Sequence, residues 1–400
     1  MKGFFLVIGF LPWAVLAAPD EEILGKKEGY PVCSIRQVMR GGQQQCLVGT
    51  YSHFDQALPA RKVAKAAEPR ALKRAAAEPQ VLYSGFVASG GIDDFLAKNR
   101  NTGLLVMQGD TILVERYQYE RKPEHRLTSM SMAKTVTAML IGIALQEAKI
   151  ESIEDLASRY VPELAGHPYG ETSIRHLLTM SSGVRFKEVY DGKDDVTRLS
   201  RALFVEGASG AKALENFRER EHPAGTRFHY SSAETYVLGL VLRGATGRPV
   251  SDYLAEKVWQ PMGAEADASW IVDAAGQELC YIGLNATLRD WGRFGLLLAE
   301  EGAREGRQII PAEWVRAATD PNHQHKPEGR RSGYGYQTWT LSGRDGAFAA
   351  LGLRGQAVMV DPATKTIVVH TAVQGGPGDP SRADQFALFY AFARQLEKAQ

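Results

Sequence analysis

The stretch Leu127-Thr128-Ser129-Met130-Ser131-Met132-Ala133-Lys134, followed by Thr135-Val136-Thr137-Ala138-Met139-Leu140-Ile141-Gly142-Ile143-Ala144-Leu145, decides the reading of this chain. A long apolar run opened by Thr and Ser predicts a buried helix that begins near Ser131. Three residues apart on a helix, Ser131 and Lys134 share a face, so the amine lies against the hydroxyl. Burial lowers the pKa of such a lysine and lets it take the serine proton, which makes Ser131 a candidate nucleophile and Lys134 its base. Unpaired N–H groups at the helix start and the positive end of its dipole favour the anion formed in such a reaction.

The spacing alone is cheap, since a chance Ser-x-x-Lys is expected about once in a chain of this length. Ser209-Gly210-Ala211-Lys212 has the same spacing, but it follows Glu206-Gly207-Ala208 and opens no long apolar helix. It reads as a solvated loop leading into a surface helix. The bland alternative for Ser131 is a helix cap with a solvated lysine one turn on. A second motif shifts the balance: Tyr230-Ser231-Ser232 lies after the turn Pro223-Ala224-Gly225-Thr226 and before the apolar run Tyr236-Val237-Leu238-Gly239-Leu240-Val241-Leu242. A phenol beside a lysine ammonium has its pKa lowered and can relay a proton to a leaving amine or alcohol. The alternative for Tyr230 is a core-edge tyrosine with an ordinary hydrogen bond.

With these motifs the chain resembles the serine hydrolases related to class C β-lactamases and D-alanyl-D-alanine peptidases. Within that family it is most similar to the 6-aminohexanoate-oligomer hydrolase and carboxylesterase branch. The resemblance covers about residues 81 to 400 and rests on five segments in order. After Leu127–Lys134 come His176-Leu177-Leu178-Thr179-Met180-Ser181-Ser182-Gly183-Val184 and then Pro223–Thr226 with Tyr230-Ser231-Ser232. Ala286-Thr287-Leu288-Arg289-Asp290-Trp291-Gly292-Arg293-Phe294-Gly295 and Gly352-Leu353-Arg354-Gly355-Gln356 complete the set.

The resemblance implies that Ser131 is acylated, that Lys134 is its base or proton partner, and that Tyr230 protonates the leaving group. Which of Lys134 and Tyr230 is the base in the free enzyme stays open. It also implies an oxyanion hole made by the backbone N–H groups of Ser131 and Leu353, beside Gly352. Ser232 stands where many relatives carry Asn, and a hydroxyl replaces only part of an amide's hydrogen bonding to substrate. Tyr190, which follows Glu188, matches a tyrosine that contacts the substrate amide in the oligomer-hydrolase branch; the alternative is a loop residue packing its ring. Trp339, in Tyr334-Gly335-Tyr336-Gln337-Thr338-Trp339, lines the acyl pocket or is simply core.

One departure bears on substrate. Where penicillin-recognising members carry Lys-Thr-Gly or His-Thr-Gly on the edge strand, this chain has Ala350-Leu351-Gly352. Neither cation nor hydroxyl stands there for a β-lactam or D-Ala carboxylate, unless Arg354 reaches the same space; a structural surface role for Arg354 is the alternative.

The chain has 400 residues, 44% hydrophobic and 23% charged, ordinary for a soluble globular protein. Its 47 basic and 46 acidic residues leave a net charge of +1, no field to draw nucleic acid. Residues 1–18, basic at the start, apolar in the middle and ending Ala17-Ala18, read as a signal peptide rather than a membrane span. The mature protein is therefore expected to be exported, periplasmic or secreted, with no membrane span of its own. An oxidising compartment would let Cys33 and Cys46 form a disulfide, leaving Cys280 as a buried small apolar residue. Three cysteines without Cys-x-x-Cys argue against structural zinc, and His323-Gln324-His325 reads as a surface loop, so neither metal nor cofactor is expected.

Residues 19–80 form an extension whose Ala/Lys/Arg-rich part, 57–80, reads as a linker with some helical tendency. The catalytic domain is placed at 81–400. Two hairpins, Gly103–Tyr117 about Gly109-Asp110 and Gln356–His370 about Asp361-Pro362, are expected to share one antiparallel sheet. A mostly helical lobe, roughly 145–330, is inserted between them, and an amphipathic helix with Phe386, Leu388, Phe389, Phe392 and Leu396 ends the chain. The expected class is α/β (α+β), an antiparallel sheet flanked by helices, and the resemblance implies the β-lactamase/transpeptidase-like fold. A cleft between the lobes is where Ser131, Tyr230 and the Gly352 strand can meet.

The leading functional expectation is hydrolysis of a small ester or amide through an acyl-enzyme on Ser131. A D-alanyl-D-alanine carboxypeptidase or β-lactamase is one alternative, and a non-catalytic envelope binding or sensing protein is another. No Gly-x-Ser-x-Gly elbow is present, Ser251-Asp252-Tyr253 reads as a helix cap, and His229 and His370 lack a context that demands a catalytic base. The residues specify no subunit count.

Overall fold

The computed structural model describes residues 17–34, 37, 43–320 and 332–398. Residues 1–16 of the expected signal peptide and the pair His323 and His325 lie outside the described residues.

Both expected hairpins are present and share one sheet. Asn101–Gln108 pairs with Thr111–Tyr117 across Gly109-Asp110, where Gly109 supplies the positive φ of +55° that a two-residue turn needs. Gln356–Asp361 pairs with Thr366–Ala372, and Thr366–Ala372 pairs in turn with Asn101–Gln108. The full order is Trp339–Thr340, Phe348–Gly352, Gln356–Asp361, Thr366–Ala372, Asn101–Gln108, Thr111–Tyr117, Lys73–Arg74. Every neighbouring pair is antiparallel except the last.

Both faces of this sheet are covered, so its strands are apolar at successive positions and divide them by parity. Leu105, Met107, Val358, Val360, Ile367 and Val369 face the core that holds the helices Ala133–Gln146 and Leu288–Ala299. Leu104, Val106, Ala357, Met359 and Val368 face the terminal helix Ser381–Glu397 through Leu388, Phe389 and Phe392. Each of the Val, Leu, Ile, Met and Phe side chains among them contributes about 1.5–3 kcal/mol on burial.

Leu288–Ala299 shows why the Ala286–Gly295 segment reads as it does. Thr287 caps the helix by accepting from Asp290 N at 3.2 Å, and the Asp290 carboxylate is met by Arg293 at 2.9 Å and by Glu265 N at 2.8 Å. Glycine at 292 and 295 lets the helix lie against the sheet, since a Cβ would come within 2.6 Å of Met107 Sδ and 2.7 Å of Ile367 Cγ2. This helix, inside the range expected for the helical lobe, therefore belongs to the sheet layer.

A second sheet was not foreseen. Ala60–Val63, Ala268–Ile271, Leu284–Ala286 and Leu127–Thr128 form four short antiparallel strands in that order. The expected helical tendency of 57–80 is thus corrected: past Ala57, which ends the short helix Phe54–Ala57, the regular elements are strands, Ala60–Val63 pairing into the small sheet and Lys73–Arg74 into the large one. Arg293 clamps the chain between those strands by donating to Arg70 O at 2.8 Å. Further upstream Cys33 and Cys46 are joined in a disulfide, with Cα atoms 5.5 Å apart, and Cys280 is free and buried. Among the described residues no helix is long and apolar enough to cross a membrane.

Candidate active site

The small sheet fixes the segment that carries Ser131. Leu127–Thr128 pairs with Leu284–Ala286, Ser129 N donates to Leu284 O at 2.8 Å, and Leu284 N returns to Ser129 Oγ at 3.1 Å. The chain then turns through Met130, whose φ of +43° is left-handed, into a 3₁₀ turn over Met130–Met132 and the helix Ala133–Gln146. Such a conformation costs a non-glycine residue roughly 1–2 kcal/mol and persists only where its surroundings hold it. Ser131 thus sits half-buried at the helix entrance.

Lys134 is 1% exposed, and all its close neighbours are catalytic candidates or core. Nζ lies 3.4 Å from Ser131 Oγ, 3.0 Å from Ser232 Oγ and 3.2 Å from Tyr281 O. It also stands over two rings, 5.2 Å from the Tyr230 centroid and 5.3 Å from that of Tyr281. Burial lowers its pKa from 10.5 to about 8, the Glu188 carboxylate acting weakly the other way. A lysine in this state is available as a proton acceptor near neutral pH.

Tyr230 ends the extended run before the helix Ser232–Thr246 and is half-buried. Its ring stacks on Trp339 with centroids 5.9 Å apart and an interplanar angle of 25°. Phe228 and Tyr334 close the group edge-on, Tyr334 lying 4.8 Å from Trp339. Gln337 anchors this segment: its backbone carbonyl accepts from Thr135 at 2.9 Å, its side chain accepts from Thr235 at 2.6 Å and donates to Leu177 O at 2.8 Å. Trp339 therefore belongs to the wall of the cleft as well as to packing.

Glu188 is the residue whose role the sequence reading missed. Oε1 accepts from Ser232 Oγ at 2.9 Å and from Tyr190 OH at 2.6 Å, while Oε2 accepts from Ser232 N at 2.7 Å. Ser232, expected to meet substrate, thus spends its hydroxyl between Lys134 and Glu188. Tyr190, with a φ of +62°, donates its phenol to Glu188; burial of the hydroxyl and that carboxylate hold its pKa far above the ordinary value.

The opposite wall is the end of strand Phe348–Gly352. Gly352 passes so close to the Ser131 segment that a Cβ would come within 2.4 Å of Ser129 O and 3.1 Å of Met130 Cβ. Leu353 follows at the start of a 3₁₀ turn and lines the same cleft as Ser131. Arg354 does not supply the missing third-motif cation: it donates to Gln374 O at 2.7 Å, and its guanidinium stands beside the Tyr51 phenol. The cleft has a volume of about 570 Å³, and Lys187, Arg227, Arg382 and Glu188 are its charged lining. Arg382, from the terminal helix, carried no sequence signal because only folding brings that helix to the cleft.

The remaining candidates stand elsewhere. Lys212 is exposed on a short 3₁₀ turn. His370 is fully buried, with Nδ1 on Gly355 O at 2.6 Å and Nε2 on Asn101, and burial lowers its pKa to about 4. His229 lines the cleft, but its Nε2 is held by Phe186 O.

A helix-flanked antiparallel sheet, a helical lobe and a Ser-x-x-Lys helix entrance at their junction define the β-lactamase and penicillin-binding class of fold. The Beta-lactamase family model matches residues 92–391, and the chain belongs to that family. It is 27% identical over 293 residues to the 6-aminohexanoate-dimer hydrolase of Paenarthrobacter ureafaciens, across 70% of this chain and 74% of that protein. A Bacillus anthracis structure, described provisionally as a 6-aminohexanoate-dimer hydrolase, superposes with a TM-score of 0.81 at 23% identity, covering 92% of this chain and 99% of that one. A penicillin binding protein from Bacillus halodurans gives 0.57 at 19% identity, over 75% of this chain and 97% of that one. The protein is a hydrolase of this family by relationship.

Proposed function

We propose that the protein cleaves esters or linear amides of small molecules by two-step acyl transfer to water. Ser131 Oγ attacks the carbonyl carbon and its proton passes to Lys134 or Tyr230. The oxyanion is held by the N–H groups of Ser131 and Leu353. Collapse breaks the bond to the leaving alcohol or amine, which takes its proton through Tyr230, and water then attacks the acyl-serine. Tyr190, Trp339 and Gly352 line the substrate's path. The observation that carries this reading is the buried Lys134 amine, 3.4 Å from Ser131 Oγ, with its pKa lowered to about 8.

Ala350 and Leu351 at the third motif, and Arg354 committed to Gln374, favour esters and linear amides over β-lactams and D-Ala peptides. The aromatic wall suits an apolar acyl chain. Export remains part of the proposal; a disulfide in a chain with an apolar N-terminal run supports it. The test is fluorophosphonate labelling, combined with turnover of p-nitrophenyl esters, short linear amides, D-Ala-D-Ala peptides and nitrocefin. Equal labelling of wild type and Ser131→Ala refutes the mechanism. Nitrocefin turnover matching that of esters transfers the assignment to β-lactamases.

A further inference from the structure

Two left-handed residues flank the expected oxyanion hole, one beside each donor. Met130, at φ +43°, precedes Ser131; Arg354, at φ +62°, follows Leu353 and is itself followed by Gly355 at +89°. For Met and Arg this conformation costs roughly 1–2 kcal/mol each, which contacts around the two turns offset. The turns touch each other through Gly352 and Met130.

Both rest on the same structure. Met130 packs against a small cluster of Leu24, Tyr30, Val48, Tyr51, Tyr119 and Val373. The Arg354 guanidinium stands beside the Tyr51 hydroxyl, and the Arg354 backbone carbonyl accepts from Gln374 N at 3.2 Å, next to Val373 of that cluster. Four of the six cluster residues come from the segment before residue 52, which the family match at 92–391 does not include.

This segment is tied down independently of the cleft. The disulfide closes its loop, and Thr50 Oγ1 accepts from Cys33 N at 3.2 Å. Arg100 reaches Asp20 at 2.7 Å and Gln44 at 2.9 Å, and Tyr119 OH donates to Pro19 O at 2.9 Å. Tyr51, 6% exposed on the short helix Leu47–Ser52, belongs to the cluster on which Met130 packs and stands beside Arg354.

We propose that the N-terminal segment completes the catalytic machinery from behind: Tyr51 is a positioning residue that holds the Leu353-Arg354 turn, and through Met130 the Ser131 turn, at the separation an oxyanion requires. The inference rests on the acyl-transfer reading above. Its consequence is selective, because a misplaced oxyanion donor weakens the transition state more than the ground state.

The experiment compares Tyr51→Phe, which keeps the ring and removes the hydroxyl, with Tyr30→Phe, which alters the same cluster at a hydroxyl facing Glu21. Each is measured for kcat and KM on a p-nitrophenyl ester and for inhibition by phenylboronic acid, whose serine adduct mimics the tetrahedral intermediate. Tyr51→Phe is expected to lower kcat roughly tenfold and raise the boronate Ki roughly tenfold, with KM within about twofold. Tyr30→Phe is expected to match wild type. Wild-type kinetics in Tyr51→Phe, or equal losses in both variants, overturn the proposal. Should Tyr51→Phe fail to fold, Arg354→Lys replaces it, and wild-type kinetics there overturn the proposal equally. A wild type that neither labels with fluorophosphonate nor turns over ester removes the acyl-transfer reading itself, an outcome distinct from an active enzyme indifferent to Tyr51.

Discussion

Lys134 Nζ donates to Ser232 Oγ at 3.0 Å although the two residues are 98 positions apart. The amine is therefore shared between the nucleophile and a hydroxyl that itself donates to Glu188 at 2.9 Å. Burial lowers the pKa of Lys134 at one end of this chain of three groups, and the Glu188 carboxylate at the other end opposes that shift.

The first consequence is in the pH dependence. With a pKa of about 8, Lys134 loses its proton as pH rises, and kcat/KM on an ester should climb to a plateau with a midpoint near that value. Stability moves the same way. The unfolded lysine, near 10.4, binds more protons than the folded one between the two values, so unfolding free energy rises with pH across that window. Initial rates from pH 6 to 10 check the first point, and a midpoint below 6 contradicts it. Lys134→Met should lose roughly 10²–10⁴ in kcat/KM.

Glu188 opposes the lowering of the Lys134 pKa, so removing its charge should deepen it. Glu188→Gln is expected to move the acid limb of the rate profile to lower pH, while amide groups keep part of the hold on Ser232 and Tyr190. A limb that stays in place or moves upward would show that the carboxylate does not act on Lys134.

Glu234 is a buried carboxyl that does not line the cleft. Oε1 accepts from Ser182 Oγ at 2.7 Å, Oε2 has no hydrogen-bond partner among the described residues, and burial raises the pKa from 4.5 to about 8. A raised carboxyl gives stability that is complete below about 4.5 and is lost as pH climbs toward 8, because the unfolded state releases its proton first. Glu234→Gln should remove that loss, gaining about 1–3 kcal/mol over wild type at pH 8 and little at pH 4.5. Denaturant midpoints at the two values decide it, and a gain that is equal at both sinks the assignment.

Gly352→Ala probes the edge of the cleft. A Cβ 2.4 Å from Ser129 O must displace the turn that carries Ser131, so ester turnover should fall by at least roughly 10²-fold. The fold should survive with a loss of roughly 1–3 kcal/mol. Circular dichroism melts beside kinetics separate these effects; retained activity would place the strand farther from Ser131.

Trp339→Ala removes the ring stacked at 5.9 Å on Tyr230. An aromatic pair is worth about 0.5–1.5 kcal/mol beyond burial, so kcat/KM on an aryl ester should drop roughly tenfold. A loss confined to thermal stability would assign the tryptophan to packing alone.

Much of this arrangement was legible in the residues. The two hairpins announced themselves through apolar runs broken at Gly109-Asp110 and Asp361-Pro362, and the terminal helix through the spacing of Leu388, Phe389 and Phe392. Ser131 and Lys134 were visible because a helix turn brings them together without help from the rest of the chain. The small sheet was not, since its strands of two to four residues are too short to show a period. Ala60–Val63 has the composition of a solvated helix, and the hydrogen bonds offered by Ala268–Ile271 override that local preference.

Sequence by itself determined the fold class and the serine-lysine pair, because alternation, helix spacing and turn residues act over a few neighbouring positions. Only tertiary structure decided that Lys134 is buried between Ser131 and Ser232, that Glu188 holds Ser232 and Tyr190, and that residues of the N-terminal segment pack against Met130 beside Ser131. These relations join positions tens to hundreds apart, and their energies arise from desolvation and packing that do not exist until the core has closed.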